Sequence, residues 1–260
     1  MRLKEEVALI TGGGRGIGRA IALRFAREGA AVVLAGRSLT DLQAVEKEIR
    51  ALGREALALF CDVGEDSSVQ AMVQQAEARF GKIDLVVNNA GYFCSMASLQ
   101  EMPDAEWDIT VQANLTGAFY VCRATVAGMI ARRHGSIILI SSIGAKEAYP
   151  YAVPYSAAKA GLLGLTRALA AEVGPYGVRV NALCPGVVAG TEMHDKVSRE
   201  LQRMTGVLPE ERLAAARNSA LLRQLPNPEA VAEAALFLAC PESSAITGQS
   251  LNVDGGMCFS

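Results

Sequence analysis

The chain has 260 residues, a formal net charge of −2 and 51% hydrophobic residues, enough apolar mass for a sizeable core. The near-neutral balance gives no electrostatic footprint for nucleic acid or an anionic membrane surface, and no run approaches the roughly 18 consecutive apolar residues of a membrane span. The opening "MRLKEEVALITGGG" does not read as a secretory signal, and the six cysteines include no C-x-x-C pair, so reduced thiols and a cytoplasmic location are expected.

The first strand pattern is "VALIT", and the loop after it reads "TGGGRGIG" from Thr11 to Gly18. Five glycines in residues 12–18, between a strand and a helical pattern, point to a dinucleotide pyrophosphate. Gly12 permits the tight turn, Gly14 and Gly16 allow close backbone approach, and Gly18 lets the helix pack on the strand. Free N–H groups at the helix start attract the anion. After a C′ glycine at Gly29, the second strand "AAVVLAG" ends on Gly36, where an NAD site usually places an acidic residue on the ribose. Arg37 follows. The missing carboxylate and added cation predict NADP(H), with Arg37 and Arg15 on the 2′-phosphate; NAD(H) is the alternative.

Ser38 with Asp41 fits a capping box, and Gly53 ends that helix. "EALALF" and "IDLVVN" are the third and fourth strands, separated by a helix ending at Gly81. "GSIILIS", "VRVNAL" and "QSLNV" complete seven, with Asn227-Pro228 as an N-cap and Pro at N1 before the last. Near-continuous apolar strands alternating with helices predict an α/β fold. It is a Rossmann-type, doubly wound, seven-stranded parallel sheet with helices on both faces, read as one domain over 1–260. From about 187 to 225 there are helical patterns and no strand, which predicts a helical lid inserted over the sheet's C-terminal edge. In it Lys196, Arg199 and Arg203 share a face, either an ordinary solvated face or a patch steering an anionic substrate. Trp107 is expected to pack. His134 and His194 have no ligand cluster nearby in sequence, so no metal is expected.

"VPYSAAKAG" places Tyr155 and Lys159 four apart, on one helix face. A neighbouring ammonium favours phenolate and moves a phenol toward acid–base chemistry at neutral pH. Spacing alone rather favours a residue covering the core edge beside a snorkelling lysine.

With "NNAG" at Asn88 to Gly91, "QANLTG" with Asn114, "SSIG" with Ser142, "YSAAK" and Pro185-Gly186, the chain from Val7 to Met257 resembles the short-chain dehydrogenase/reductase family. The resemblance implies Tyr155 as general acid or base and Lys159 on the nicotinamide ribose. It implies Ser142 on the substrate carbonyl and Asn114 holding a water in a proton relay. It also implies Asp62 on adenine and Asn89, Ala90 and Gly91 lining the cofactor. Thr191 would contact the carboxamide, and Ile17, Val63, Pro185, Gly186 and Val188 complete the cofactor contacts. The implied activity is hydride transfer between NADP(H) and a ketone or secondary alcohol, with 3-oxoacyl thioesters foremost. Polyol, sugar or cyclic-alcohol oxidation is the alternative, and a non-catalytic nucleotide-binding regulator the reading from another class. The chain departs from the family pattern in two places. Thr191 lies six residues after Pro185 rather than five. Tyr176 stands where carrier-protein reductases tend to carry a second basic residue beside Arg133, which weakens an acyl-carrier-protein substrate. The small-residue helix from Tyr155 to Val173 and the apolar segment "LNVDGGMCFS" suggest buried subunit contacts in a homotetramer.

Overall fold

Strands that are apolar on both faces need helices on both sides, and the chain supplies them. The computed structural model describes residues 1–259. Strands β1 (Val7–Thr11), β2 (Ala31–Gly36), β3 (Ala56–Phe60), β4 (Leu85–Asn88), β5 (Gly135–Ile140), β6 (Val178–Pro185) and β7 (Ser250–Val253) form one sheet. It is parallel throughout, in the order β3-β2-β1-β4-β5-β6-β7. All seven fall on the expected segments.

The period of two along each strand divides its side chains between two cores. Ala8 and Ile10 of β1 face the layer of α1 (Gly16–Arg27), α2 (Leu39–Ala51) and α9 (Pro228–Ala239), beside Ile21, Phe25, Ile49 and Leu236. Val7 and Leu9 face the layer of α3 (Asp66–Phe80), α5 (Gly117–Arg132) and α6 (Val153–Val173), beside Met72, Val121 and Leu162. Between α4 (Asp104–Val111) and α5 the chain makes one π-helical turn, Gln112–Thr116. The caps read from sequence form: Ser38 Oγ accepts from the Asp41 N–H, and Asn227 Oδ1 from the Ala230 N–H. The strandless stretch folds as α7 (Glu192–Thr205) and α8 (Pro209–Ser219).

Strand order reverses between β1 and β4, which opens a crevice at the carboxyl ends of the strands. The glycine loop, Arg37, Asp62, Asn88–Gly91, Ser142 and Pro185-Gly186 all leave the sheet at that end. Arg133 and Tyr176 do not. They precede β5 and β6, and Arg133 Nη2 donates to the Pro175 carbonyl. The six residues of β5 put about 20 Å between Arg133 and Ser142, so within one protomer Arg133 is not at the rim of the crevice.

Two further expectations are corrected. Trp107 is 41% exposed, because only Thr110 of the short helix α4 is buried. His134 does meet carboxylates, since the sheet brings Glu6 and Asp84 beside it at the strand starts. Asp84 already accepts from the Val7 N–H (3.0 Å) and from Lys82 (2.8 Å), so that group fastens the strand starts to one another.

Candidate active site

Gly12 has φ +63°, a left-handed conformation that glycine adopts freely. It turns the chain sharply at the end of β1. A Cβ on Gly18 would lie 2.2 Å from the Gly12 carbonyl, so α1 rests on this turn through a bare glycine. Gly14 packs on Asp41 of α2, and Gly16 faces Thr191. Ile17 adds an apolar contact to the first core. The loop is fastened to β4 by Thr11, whose Oγ1 accepts from the Asn89 and Ala90 N–H groups (both 3.0 Å), and by Asn89 Nδ2, which donates to the Thr11 and Gly12 carbonyls. Thr11 received no role from sequence, although a polar residue ending an apolar strand beside a glycine run is a visible signal.

Gly36 lies beside Gly12, and a Cβ there would meet only ordinary contacts. Arg37 is exposed and makes no ion pair or side-chain hydrogen bond among the described residues. Arg15 is committed differently: it pairs with Glu192 at the start of the lid. Asp62 Oδ1 caps the Gly64 N–H at 3.0 Å, while Val63 is buried against Gly117. Gly186 is bonded to the Val253 carbonyl and packs on Asp254, and Val188 enters the first core. Thr191 N-caps α7: its Oγ1 accepts from the His194 N–H and donates to the Val188 carbonyl, both at 3.1 Å. Pro185 ends β6.

The four catalytic candidates converge. Asn114, 1% exposed in the π turn, donates to the Tyr92 and Thr110 carbonyls and accepts from the Tyr92 N–H. Gly91 passes so close that a Cβ there would sit 2.7 Å from Asn114 Oδ1 and 3.5 Å from Lys159 Nζ. Lys159, 3% exposed, donates from Nζ to the Ile140 carbonyl at 2.8 Å and lies 5.7 Å from the Tyr155 ring centre. Ser142 Oγ accepts from the Gly144 N–H. Ser141, also missed from sequence, donates to the Lys159 carbonyl at 2.8 Å and fixes α6 to the end of β5.

The electrostatics differ from the sequence expectation. Tyr155 is 7% exposed, and burial pushes its phenol up, opposed by a hydrogen bond with Ser142. Burial pulls Lys159 down to about 8. Desolvation penalises both charged forms and outweighs the expected lowering of the phenol by the ammonium. Cys94 is fully buried nearby and its thiol is raised by burial, which makes it no thiolate nucleophile.

Sequence reasoning also missed the wall around Tyr155. Phe93 (ring centres 4.9 Å) and Tyr149 (6.4 Å) flank its ring, with Met96, Ala152 and Val197 buried in the same cluster. The lid reaches this wall through its charged face. Lys196 Nζ donates to the Phe93 carbonyl (2.6 Å) and lies 4.0 Å from the Tyr92 ring centre. Arg203 donates to the Met96 carbonyl, and Glu200 accepts from the Met96 N–H. Two of the three cations expected to face solvent or substrate therefore hold loop 92–98, while Arg199 is exposed.

The family model described as enoyl-(acyl carrier protein) reductase matches residues 12–258. The chain is 37% identical to a 3-oxoacyl-[acyl-carrier-protein] reductase of Thermotoga maritima over 257 residues, covering 99% of each chain. Among solved structures it is similar to NAD+-bound xylitol dehydrogenase, with a TM-score of 0.94, 32% identity and coverage of 98% of this chain and 100% of that one. It is similar also to an actinorhodin polyketide ketoreductase variant with NADPH, with a TM-score of 0.92, 38% identity and 97% of each chain. The glycine turn, the Ser-Tyr-Lys constellation and these matches agree that the chain belongs to the short-chain dehydrogenase/reductase family of NAD(P)-dependent oxidoreductases.

Proposed function

We propose that the protein reduces a ketone to a secondary alcohol with NADP(H), using Tyr155 as the proton donor. The observation that carries this reading is the buried Tyr155 phenol, whose pKa Ser142 lowers against burial, one helical turn from the buried Lys159. The chain fits a dinucleotide: Gly12, Gly14 and Gly18 have no room for side chains, and exposed Arg37 has no competing partner. Gly12–Gly18 would hold the pyrophosphate, Arg37 the 2′-phosphate, Asp62 and Val63 the adenine side, and Asn89–Gly91, Pro185, Gly186, Val188 and Thr191 the nicotinamide side. Arg15 joins Arg37 only by leaving Glu192. When bound, the nicotinamide supplies the hydride.

The protein's own residues manage the proton. Ser142 Oγ holds the carbonyl oxygen toward Tyr155. Burial keeps the phenol protonated at neutral pH, so a proton is present when charge develops on that oxygen. The departing proton leaves a phenolate, which the Lys159 ammonium and the Ser142 hydroxyl stabilise. With Lys159 near 8, the ammonium can itself pass a proton on, and Asn114 is the polar group behind it.

The names of the two reductase relatives support ketone reduction, including 3-oxoacyl thioesters. The position of Arg133 argues against a carrier protein docking on the same protomer. Polyol oxidation is the second reading, favoured by the likeness to xylitol dehydrogenase. A homotetramer and a cytoplasmic location complete the proposal. No helix among the described residues is long and apolar enough to cross a membrane.

The test of cofactor choice is kcat/KM for NADPH against NADH with a common ketone. A charged hydrogen bond to Arg37, taken at its lower value of about 1.5 kcal/mol, gives an NADPH preference of about tenfold. Gly36→Asp with Arg37→Ile should reverse it, because the aspartate restores a ribose acceptor and the isoleucine deletes the phosphate partner. A preference for NADH in the unmodified enzyme would reject the role of Arg37.

A further inference from the structure

Lys196 and Arg203 of the lid are spent on backbone carbonyls, but one cation near Tyr155 is differently placed. Arg212 of α8 is half-buried. Its Nη1 donates to Ser198 Oγ at 2.9 Å and faces His194 Nδ1 at 3.3 Å. Its charge also acts to lower the Tyr149 phenol, whose ring neighbours that of Tyr155. Among the described residues no carboxylate lies within ion-pair distance of Arg212. A half-buried guanidinium without a counter-ion is unfavourable.

The lid is not short of acids. Glu192 pairs with Arg15, Glu200 with Arg203 and the Met96 N–H, and Glu211 caps the Leu208 N–H. With Nδ1 accepting from Arg212, the His194 ring is neutral and carries its proton on Nε2. Burial and the Arg212 charge lower its pKa and keep it so. Arg212 and Tyr149 thus join the lid to the loop before α6, at one end of an apolar wall whose other end is Tyr155.

We propose that Arg212, flanked by Tyr149 and His194, anchors a carboxylate on the substrate, so that the protein acts on oxo acids or the matching hydroxy acids. The connecting carbons lie along Phe93, Met96 and Val197. This rests on the reading of Tyr155 as the proton donor. The thioester group itself, like a neutral polyol, places no charge among the carbons next to the reacting carbonyl, whereas a carboxylate there matches the planar pair of N–H groups of Arg212.

The experiment compares acetoacetate, levulinate and 5-oxohexanoate, each against its methyl ester, in the wild type, Arg212→Gln and Arg212→Lys, with NADPH saturating. For at least one chain length the wild type should favour the acid by about tenfold or more in kcat/KM. Arg212→Gln should lower the acid-to-ester ratio by about 10–100-fold, as loss of a charged hydrogen bond predicts. Arg212→Lys should restore part of it. An unchanged ratio in Arg212→Gln overturns the proposal. A second arm does not depend on turnover: butyrate should raise the melting temperature of the wild type with NADPH bound, and not that of Arg212→Gln. Equal protection of both overturns the carboxylate anchor. Failure of the reading of Tyr155 has a different signature, with no NADPH oxidation by acid or ester while butyrate still discriminates between the two proteins.

Discussion

At the scale of single residues, Tyr155 and Lys159 share a helix face as their spacing requires. What the spacing does not carry is the depth of the site. Depth decides the electrostatics: Tyr155 lies among Phe93, Met96 and Val197 of loop 92–98 and the lid, and Lys159 against Gly91 and the end of β5, segments distant in sequence. Lys159 gives a prediction with a definite sign. Its folded pKa is about 8, against 10.5 for the ordinary side chain. Between those values the unfolded chain binds more protons, so this group's contribution to stability rises with pH across that window. Below it the full cost of burying the ammonium is present. The stability of the wild type relative to Lys159→Met should therefore improve from pH 8 to about pH 10.5, by at most roughly 3 kcal/mol at about 1.36 kcal/mol per pH unit. Urea unfolding of both proteins at pH 7 and pH 10 measures it. A difference that does not change with pH would mean that Lys159 is not desolvated.

At the scale of elements, the strands were legible because a parallel strand buried on both faces must be apolar throughout, and "VALIT" or "GSIILIS" have no other reading. The lid was legible as helix but not as contact. Spacings of three and four put Lys196, Glu200 and Arg203 on one face, yet nothing in α7 itself shows that the carbonyls of Phe93 and Met96 lie opposite. Backbone groups leave no residue-type signature. Together these bonds make α7 and loop 92–98 one mechanical unit. Lys196→Met with Arg203→Met should raise amide exchange at Cys94 and Ala97. The double change should raise KM for neutral and acidic ketones alike, by about fivefold or more, the effect of about 1 kcal/mol. An increase confined to acidic substrates would show that these cations meet the substrate instead of the loop.

At the scale of the whole molecule, the helical layers leave apolar side chains outside. Leu99, Trp107, Ile109 and Phe119 are each at least 41% exposed around α4 and α5, and Phe237 and Leu251 are exposed near β7. Patches of this kind mark interfaces, and the proposed homotetramer, with dihedral symmetry, would cover them. Light scattering at micromolar concentration should give four times the mass of the 27.4 kDa chain, and a stable monomer would reject the assembly. Trp107, the only tryptophan, should shift its emission to longer wavelength when the assembly is dissociated. The sequence suggested the assembly from α6 and the C-terminal segment but placed Trp107 inside the fold. A large aromatic residue reads the same whether its cover is the chain itself or a second copy.

The proposed reaction turns on one proton, which Tyr155 would deliver as hydride reaches the carbonyl carbon. The most direct measurement is single-turnover oxidation of bound NADPH by a ketone in the wild type and Tyr155→Phe, alongside NADPH binding by fluorescence. The account predicts unchanged binding and a hydride-transfer rate lower by about 10²–10⁴-fold, the usual worth of general acid catalysis. Retention of more than about a tenth of the rate, with chemistry limiting, would contradict it.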